Sequence, residues 1–235
     1  GEVECIWCPF SCGFTGNYSY IKGGVGSLSD MAIHGITLCW FLIGFDFIPE
    51  RVKSISPGGI SVRIKDRIID DIFRDLDVED YANFVVEFQN PLTGQWINIY
   101  IEGSWSYRSM QSFKVVGSKG EIGEKDGAIE IKDVFDNSRS INISHPAFLN
   151  SYLPPGYTGF PQEIKAMIKY IRENKKPLCD EKIAAESLAI AQSAYLSEAK
   201  GRKAISINEF KEYAKKFKGD PDSFLQELLE KGIRK

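Results

Sequence analysis

The segment "ANFVVEFQNPLTGQWINIYIEG", residues 82 to 103, constrains this chain most. Ala82, Phe84, Val86 and Phe88 alternate with polar or smaller neighbours, and Ile97, Ile99 and Ile101 do the same after a link carrying Pro91 and Gly94. Period-two alternation puts each apolar set on one face of a strand, and the Pro/Gly link is turn chemistry for an antiparallel hairpin rather than a crossover helix. Such a pair needs an apolar layer over one face only. The pattern extends along the chain. "ISVRIKD" alternates Ile60, Val62 and Ile64, while "SFKVVGS", "GAIEIKD" and "RSINIS" follow, joined by the turn-like "SKGE", "KDG" and "FDNS". With a first strand over residues 2 to 10, the reading is six or seven strands, mostly antiparallel.

Helices supply the covering layer. After a Gly-rich polar loop over 13 to 26, Ser27 and Asp30 form an S-x-x-D capping box, and Leu28, Met31, Ile33, Ile36, Trp40, Phe41 and Ile43 spread apolar surface around a helix ended by Gly44. The last third repeats Ile164, Met167, Ile168 and Ile171 at helical spacing. Asp180 then caps an alanine-rich helix with Lys200 in its last turn. Ser206 with Glu209, and Asp220 with Pro221, announce two more. Strand, helix, antiparallel sheet, then helices is an α+β pattern with the helices packed on one face of an open sheet.

The 235 residues are 43% hydrophobic, enough for a full core, and carry a net charge of -3 with basic residues scattered. A nucleic-acid partner is therefore not expected. The run "ITLCWFLIGFDFI" is shorter than the ~18 to 20 residues a bilayer requires and includes Asp46, so no membrane span is expected. Cys5, Cys8 and Cys12 have the spacing C-x2-C-x3-C but lack a fourth tetrahedral ligand nearby, and Cys5 and Cys8 would point to opposite faces of a strand. Packing thiols in a reducing cytoplasm is the reading for the five cysteines. The opening "GEVECIWCPF" has no initiator methionine, basic n-region or cleavage site, and reads as strand almost at once, so the chain is expected to be part of a longer one.

Candidate chemistry centres on Asp30 and His34. Four residues apart on a helix, they project from one side, where a carboxylate can orient an imidazole that takes or returns a proton. The same spacing serves a capping aspartate and a satisfied core histidine. His145, before a proline, reads as a strand-end or loop residue. "GGVGSLS" imitates a dinucleotide fingerprint, with Gly24, Gly26 and Ser29, and Asp46 about twenty residues on, but a polar segment precedes it and no βαβ alternation follows. Tyr18, Tyr20, Trp105, Tyr107, Tyr157 and Phe160 form an aromatic set suited to the apolar faces and hydroxyl rims of sugar rings, or to anchoring loops.

"GGVGSLSDMAIHGITL" resembles the G-G-G-x-L-x-D-x-G-x-H-x-x-D-L segment of the glucose-fructose oxidoreductase/inositol dehydrogenase (Gfo/Idh/MocA) family. "AAESLAIAQSAYLSEAKGRKAISINEF" resembles that family's C-terminal ending, and "GEV" and "VVGSKGEI" add to the match. The resemblance implies a two-domain oxidoreductase: a Rossmann domain binding NAD or NADP, and a C-terminal α+β domain supplying the substrate site and the oligomer interface. Residues 1–235 correspond to the second part as a single domain, with the Rossmann domain absent. Asp30 and His34 then bind a sugar, cyclitol or related polyol and move its proton. The family's catalytic lysine lies in an E-K-P motif of the other half, and "NKKP" at 174 to 177 is not it, so the chain alone is expected to be inactive. Ala32 stands where the family has glycine, and Thr37 where it has aspartate. Implied partners are a small sugar or polyol and further copies of the chain, as a homodimer or homotetramer through the open sheet face. The alternative is a non-catalytic dimerisation or ligand-binding module of the same fold.

Overall fold

In the computed structural model the described residues are 1–12, 26–56, 58–69, 72–76, 78–107, 110–125, 128–142 and 160–217, with positions 219, 223, 224, 227, 228 and 230 beyond them. The chain starts in strand β1 (Val3–Ser11). It re-enters as helix α1, which opens with a π-helical turn, Leu28–Ala32, and continues as α-helix over Ile33–Ile43. Strands β2 (Ile48–Ser54), β3 (Ile60–Ser61), β4 (Asp66–Ile69), β5 (Ile72–Asp75), β6 (Tyr81–Gln89) and β7 (Trp96–Ser104) follow. Then come β8 (Met110–Gln111), β9 (Lys114–Gly117), β10 (Gly120–Lys125), β11 (Ala128–Asp133) and β12 (Ser138–Asn142). The remainder is α2 (Phe160–Arg172), α3 (Glu181–Ala199), the short β13 (Ile205–Ser206) and α4 (Ile207–Lys216).

One large sheet runs β12-β11-β10-β9-β1-β7-β6-β2-β13, with β3 on β6 and β8 on β1; β4 and β5 form a separate two-stranded ribbon. Among the described residues every strand pair is antiparallel except β1 with β7. The expected α+β architecture is the observed one.

Parity decides the core. Ala82, Phe84, Val86 and Phe88 on β6, and Ile97, Ile99 and Ile101 on β7, are all buried on the face that α1 and α3 cover. Ile36, Cys39 and Trp40 come down from α1, and Ile190, Ala191 and Ala194 from α3. The indole of Trp40 donates to the Phe47 carbonyl at 2.9 Å, which satisfies its polar edge inside that core. On the opposite face Trp7 stacks on Tyr100 at 5.6 Å, Arg51 lies 5.4 Å over Trp96, and Arg51 pairs with Glu87. Trp7 and Trp96 are each nearly half exposed there.

Two expected caps are present: Asp180 accepts from Lys182 and Ile183 N–H at 3.0 and 3.1 Å, and Ser206 accepts from Glu209 N–H at 3.0 Å. The Asp220-Pro221 start lies outside the described residues. Four expectations fail. The described strands number thirteen rather than six or seven, because short pairings such as β3, β8 and β13 join the sheet. Ile164, Met167, Ile168 and Ile171 keep helical spacing on α2 but are all exposed, so this helix does not join the covering layer. "ISVRIKD" is not one half-buried strand: only Ile60–Ser61 pairs with β6, Ile64 is exposed, and the 63–64 backbone is instead drawn to the Asp80 carboxylate. Nor does Ser27 cap α1, since it already has helical dihedrals and its hydroxyl points to the Gly103 carbonyl.

Close approach of α1 to β7 has a sequence signature. A Cβ on Gly103 would lie 2.8 Å from Ala32 Cβ and 2.9 Å from both Ala32 N and Ser27 O. The Ala32 methyl is thus accommodated because residue 103 has no side chain. Gly103→Ala is expected to destabilise the domain by about 1 to 3 kcal/mol through overpacking, and Ala32→Gly in that background to restore part of it. Urea unfolding checks both; an unchanged midpoint for Gly103→Ala would contradict the packing.

Candidate functional site

The site is built where the π-helical turn of α1 meets the end of β7. Asp30 lies within that turn and His34 one turn on, at the start of the α-helical part. π-helical turns are uncommon and concentrate at functional sites, because the wider turn re-aims its side chains. Asp30 is half-buried, and its Oδ2 accepts a hydrogen bond from the Trp105 indole at 2.8 Å. His34 is exposed, with its ring stacked on Phe10 of β1 at a centroid distance of 5.5 Å. Among the described residues no hydrogen bond joins Asp30 to His34. The carboxylate is steadied by the indole, and the imidazole by an aromatic face.

Cys12 and Met31 complete the rim. The Cys12 thiol donates to the Met31 sulfur at 3.4 Å; burial, and then the nearby Asp30 charge, push that thiol's pKa up, so it stays protonated. Thr37 bonds the Ile33 carbonyl at 3.1 Å and the Ser187 hydroxyl at 3.3 Å, so this position ties α1 to α3.

Sequence reasoning missed the support beneath. Glu79 and Asp80, the acids before β6, are both fully buried. Glu79 Oε1 accepts from the Leu28 N–H at 2.9 Å and from the Tyr195 hydroxyl at 2.6 Å, so it caps α1 in place of Ser27. Burial outweighs these two bonds and pushes the Glu79 carboxyl up to about 7. Asp80 accepts from Arg63 and Ile64 N–H at 2.6 and 3.0 Å and pairs with Arg67 at 2.8 Å; Arg67 also donates to the Trp105 carbonyl at 3.2 Å. In sequence the two acids look like a solvated turn before a strand. Their only signal is that they stand directly against a run of buried residues.

Of the aromatic set, the structure brings Trp105 to the site, almost wholly buried and held by Asp30. Tyr107 lies on the other face of the sheet. Its hydroxyl donates to Glu102, beside a cleft that also involves Trp7, Asn83 and Tyr100, and burial followed by the Glu102 contact raises its pKa. Tyr18, Tyr20, Tyr157 and His145 lie outside the described residues. Phe160 is exposed at the start of α2.

An open, mostly antiparallel sheet with helices on one face is an α+β architecture, with a carboxylate and an imidazole on its first covering helix. The family model described as "Oxidoreductase family, C-terminal alpha/beta domain" matches residues 16–207, and the chain belongs to this Gfo/Idh/MocA family. No curated protein matches the sequence. Among solved structures it is similar to an NAD binding oxidoreductase from Klebsiella pneumoniae (16% identity, TM-score 0.68, covering 88% of this chain and 59% of that one). It is also similar to levoglucosan dehydrogenase in complex with NADH (16%, 0.65, 88% and 59%). A third is an oxidoreductase from Agrobacterium radiobacter in complex with NAD+, L-tartaric acid and magnesium (15%, 0.63, 88% and 58%). At these identities the likeness is one of fold. The chain spans a little under three fifths of the length of these structures.

At Gly26 and Leu28, the described part of the glycine segment, the geometry does not fit a dinucleotide phosphate. A Cβ on Gly26 would overlap the Glu79 carboxylate, and the Leu28 N–H that a pyrophosphate would need is already bonded to it. A buried acid stands where a helix N-terminus would hold phosphate. No helix among the described residues is long and apolar enough to cross a membrane.

Proposed function

We propose that this chain is the substrate-binding and oligomerising domain of an NAD(P)-dependent oxidoreductase acting on a sugar, cyclitol or related polyol. The observation carrying this reading is the pairing of a half-buried Asp30, fixed through one oxygen by Trp105, with an exposed His34 one turn away on the same helix. Asp30 Oδ1 is left to accept from a substrate hydroxyl, which fixes the ring's orientation. His34 takes the proton of the reacting hydroxyl as the alcohol is oxidised, and returns it in the reverse direction. The dinucleotide is held by protein outside this chain, consistent with the misfit at Gly26. Tyr18, Tyr20 and Tyr157 are the proposed aromatic contacts to the substrate, and Tyr107 is assigned to the open face instead.

Self-association through that open face as a homodimer or homotetramer is supported by the exposed Trp7 and Trp96 set among paired charges. Five free thiols are in keeping with the cytoplasm.

The test is NAD(P)-dependent absorbance change over a panel of sugars and polyols with the full-length protein. His34→Ala is expected to lower kcat by about 10²- to 10⁴-fold. Undiminished turnover in that variant removes the proton role. Absence of turnover with every nucleotide and polyol, together with binding of a polyol, would favour the non-catalytic module.

A further inference from the structure

We propose that Glu79, acting with Tyr195, is a positioning residue for the Asp30–His34 site, holding the π-helical turn so that Asp30 meets the Trp105 indole. For its kinetic consequence this rests on the proposed function above; the geometric part stands without it. The Glu79-Asp80 dipeptide controls both partners of the Asp30 bond. On one side, the Glu79 carbonyl accepts from Ser27 N–H at 2.9 Å and its carboxylate from Leu28 N–H, which anchors the two residues that open α1. Tyr195 from α3 closes this arm, its hydroxyl donating to Glu79 and lying 3.5 Å from the Ser29 hydroxyl, the residue before Asp30. On the other side, Trp105 N–H donates to the Asp80 carbonyl at 2.8 Å, and Arg67 links the Asp80 carboxylate to the Trp105 carbonyl. Two arms leaving adjacent residues thus converge on one carboxylate–indole contact.

Packing alone does not account for this acid. Its Oε2 is buried without a hydrogen-bond partner, a costly arrangement that an apolar residue of similar size would avoid. Gly26 leaves the space the carboxylate fills. The titratable groups facing Glu79 are Tyr195 from α3 and Asp80 from its own segment; α1 faces it with backbone N–H groups. The acid is thus placed to act on the turn that carries Asp30.

The experiment follows the indole N–H resonance of Trp105 by ¹H–¹⁵N NMR, assigned through Trp105→Phe. In Glu79→Ala and in Tyr195→Phe this resonance is expected to move, while those of Trp7, Trp40 and Trp96 hold. Glu79→Gln, which keeps an acceptor for Leu28 and Tyr195, is expected to bring it back toward the wild-type position. Should Glu79→Ala fail to fold, Tyr195→Phe decides, because it retains the ring and removes only the donor. A Trp105 resonance unmoved in every folded one of these two variants overturns the proposal. In the full-length protein, kcat for polyol oxidation is expected to fall about 10- to 100-fold in Tyr195→Phe with little change in KM, as misplacement of a reacting group predicts. A moved resonance in a protein that oxidises no polyol would sink the proposed function and leave the positioning role standing.

Discussion

Asp80→Ala is expected to cost about 3 to 5 kcal/mol of stability, the range found when one partner of a buried ion pair is removed. The Asp80 side chain is wholly inaccessible and that of Arg67 only 12% exposed, so the guanidinium would lose its carboxylate in a place water barely reaches. Two backbone N–H groups, of Arg63 and Ile64, would lose their acceptor together with it. Asp80→Asn keeps one acceptor oxygen and no charge, and should fall between the wild type and alanine. Urea denaturation with an unchanged slope checks the order; a loss below about 1 kcal/mol for alanine would show that solvent reaches this pair. The change should also reach the site, because the Trp105 carbonyl shares Arg67 with Asp80.

What the sequence made legible divides along physical lines. Alternation at 82–88 and 97–101 reports which face is buried because side-chain parity is a local property of a strand, and all seven apolar residues face the helices as expected. Asp180 and Ser206 were legible for the same reason, since each cap acts within three residues of itself. Ser27 carried the same signature and failed, because Glu79, 51 residues away in sequence from the N–H it receives, took the position first. Local patterns cannot register such a competitor.

The site shows the same split. Asp30 and His34 were marked by spacing and by resemblance to the family, but the expectation that the carboxylate orients the imidazole missed its partner, the Trp105 indole. Trp105 and Tyr107 belong to one aromatic set in the sequence, two residues apart. The strand ends at Ser104, after which parity no longer fixes direction, and the two rings leave toward opposite faces of the sheet. Thr37 and Ala32, departures from the family pattern, are explained only by their surroundings: one is met by Ser187, the other by a glycine at 103.

Glu79→Gln is expected to make the domain more stable than the wild type above neutral pH and no different near pH 4.5. Burial raises the folded-state carboxyl from its ordinary 4.5 to about 7, so between those values the folded protein holds a proton that the unfolded chain has released. Stability from this group is therefore complete below pH 4.5, declines as pH rises through 7, and is flat above, with a total loss of about 3 kcal/mol. Glutamine carries no such proton, keeps an oxygen for Leu28 N–H and the Tyr195 hydroxyl, and escapes the decline. Subtracting the two unfolding free energies at each pH from 4.5 to 8.5 cancels every group the proteins share, leaving a curve that should rise toward about 3 kcal/mol with its midpoint between the two carboxyl pKa values. A flat difference would mean that the carboxylate is solvated in the folded protein. The burial that this curve measures also strengthens the acid's hold on the start of α1, since its hydrogen bonds to Leu28 N–H and the Tyr195 hydroxyl are electrostatically stronger in a low-dielectric site than in water.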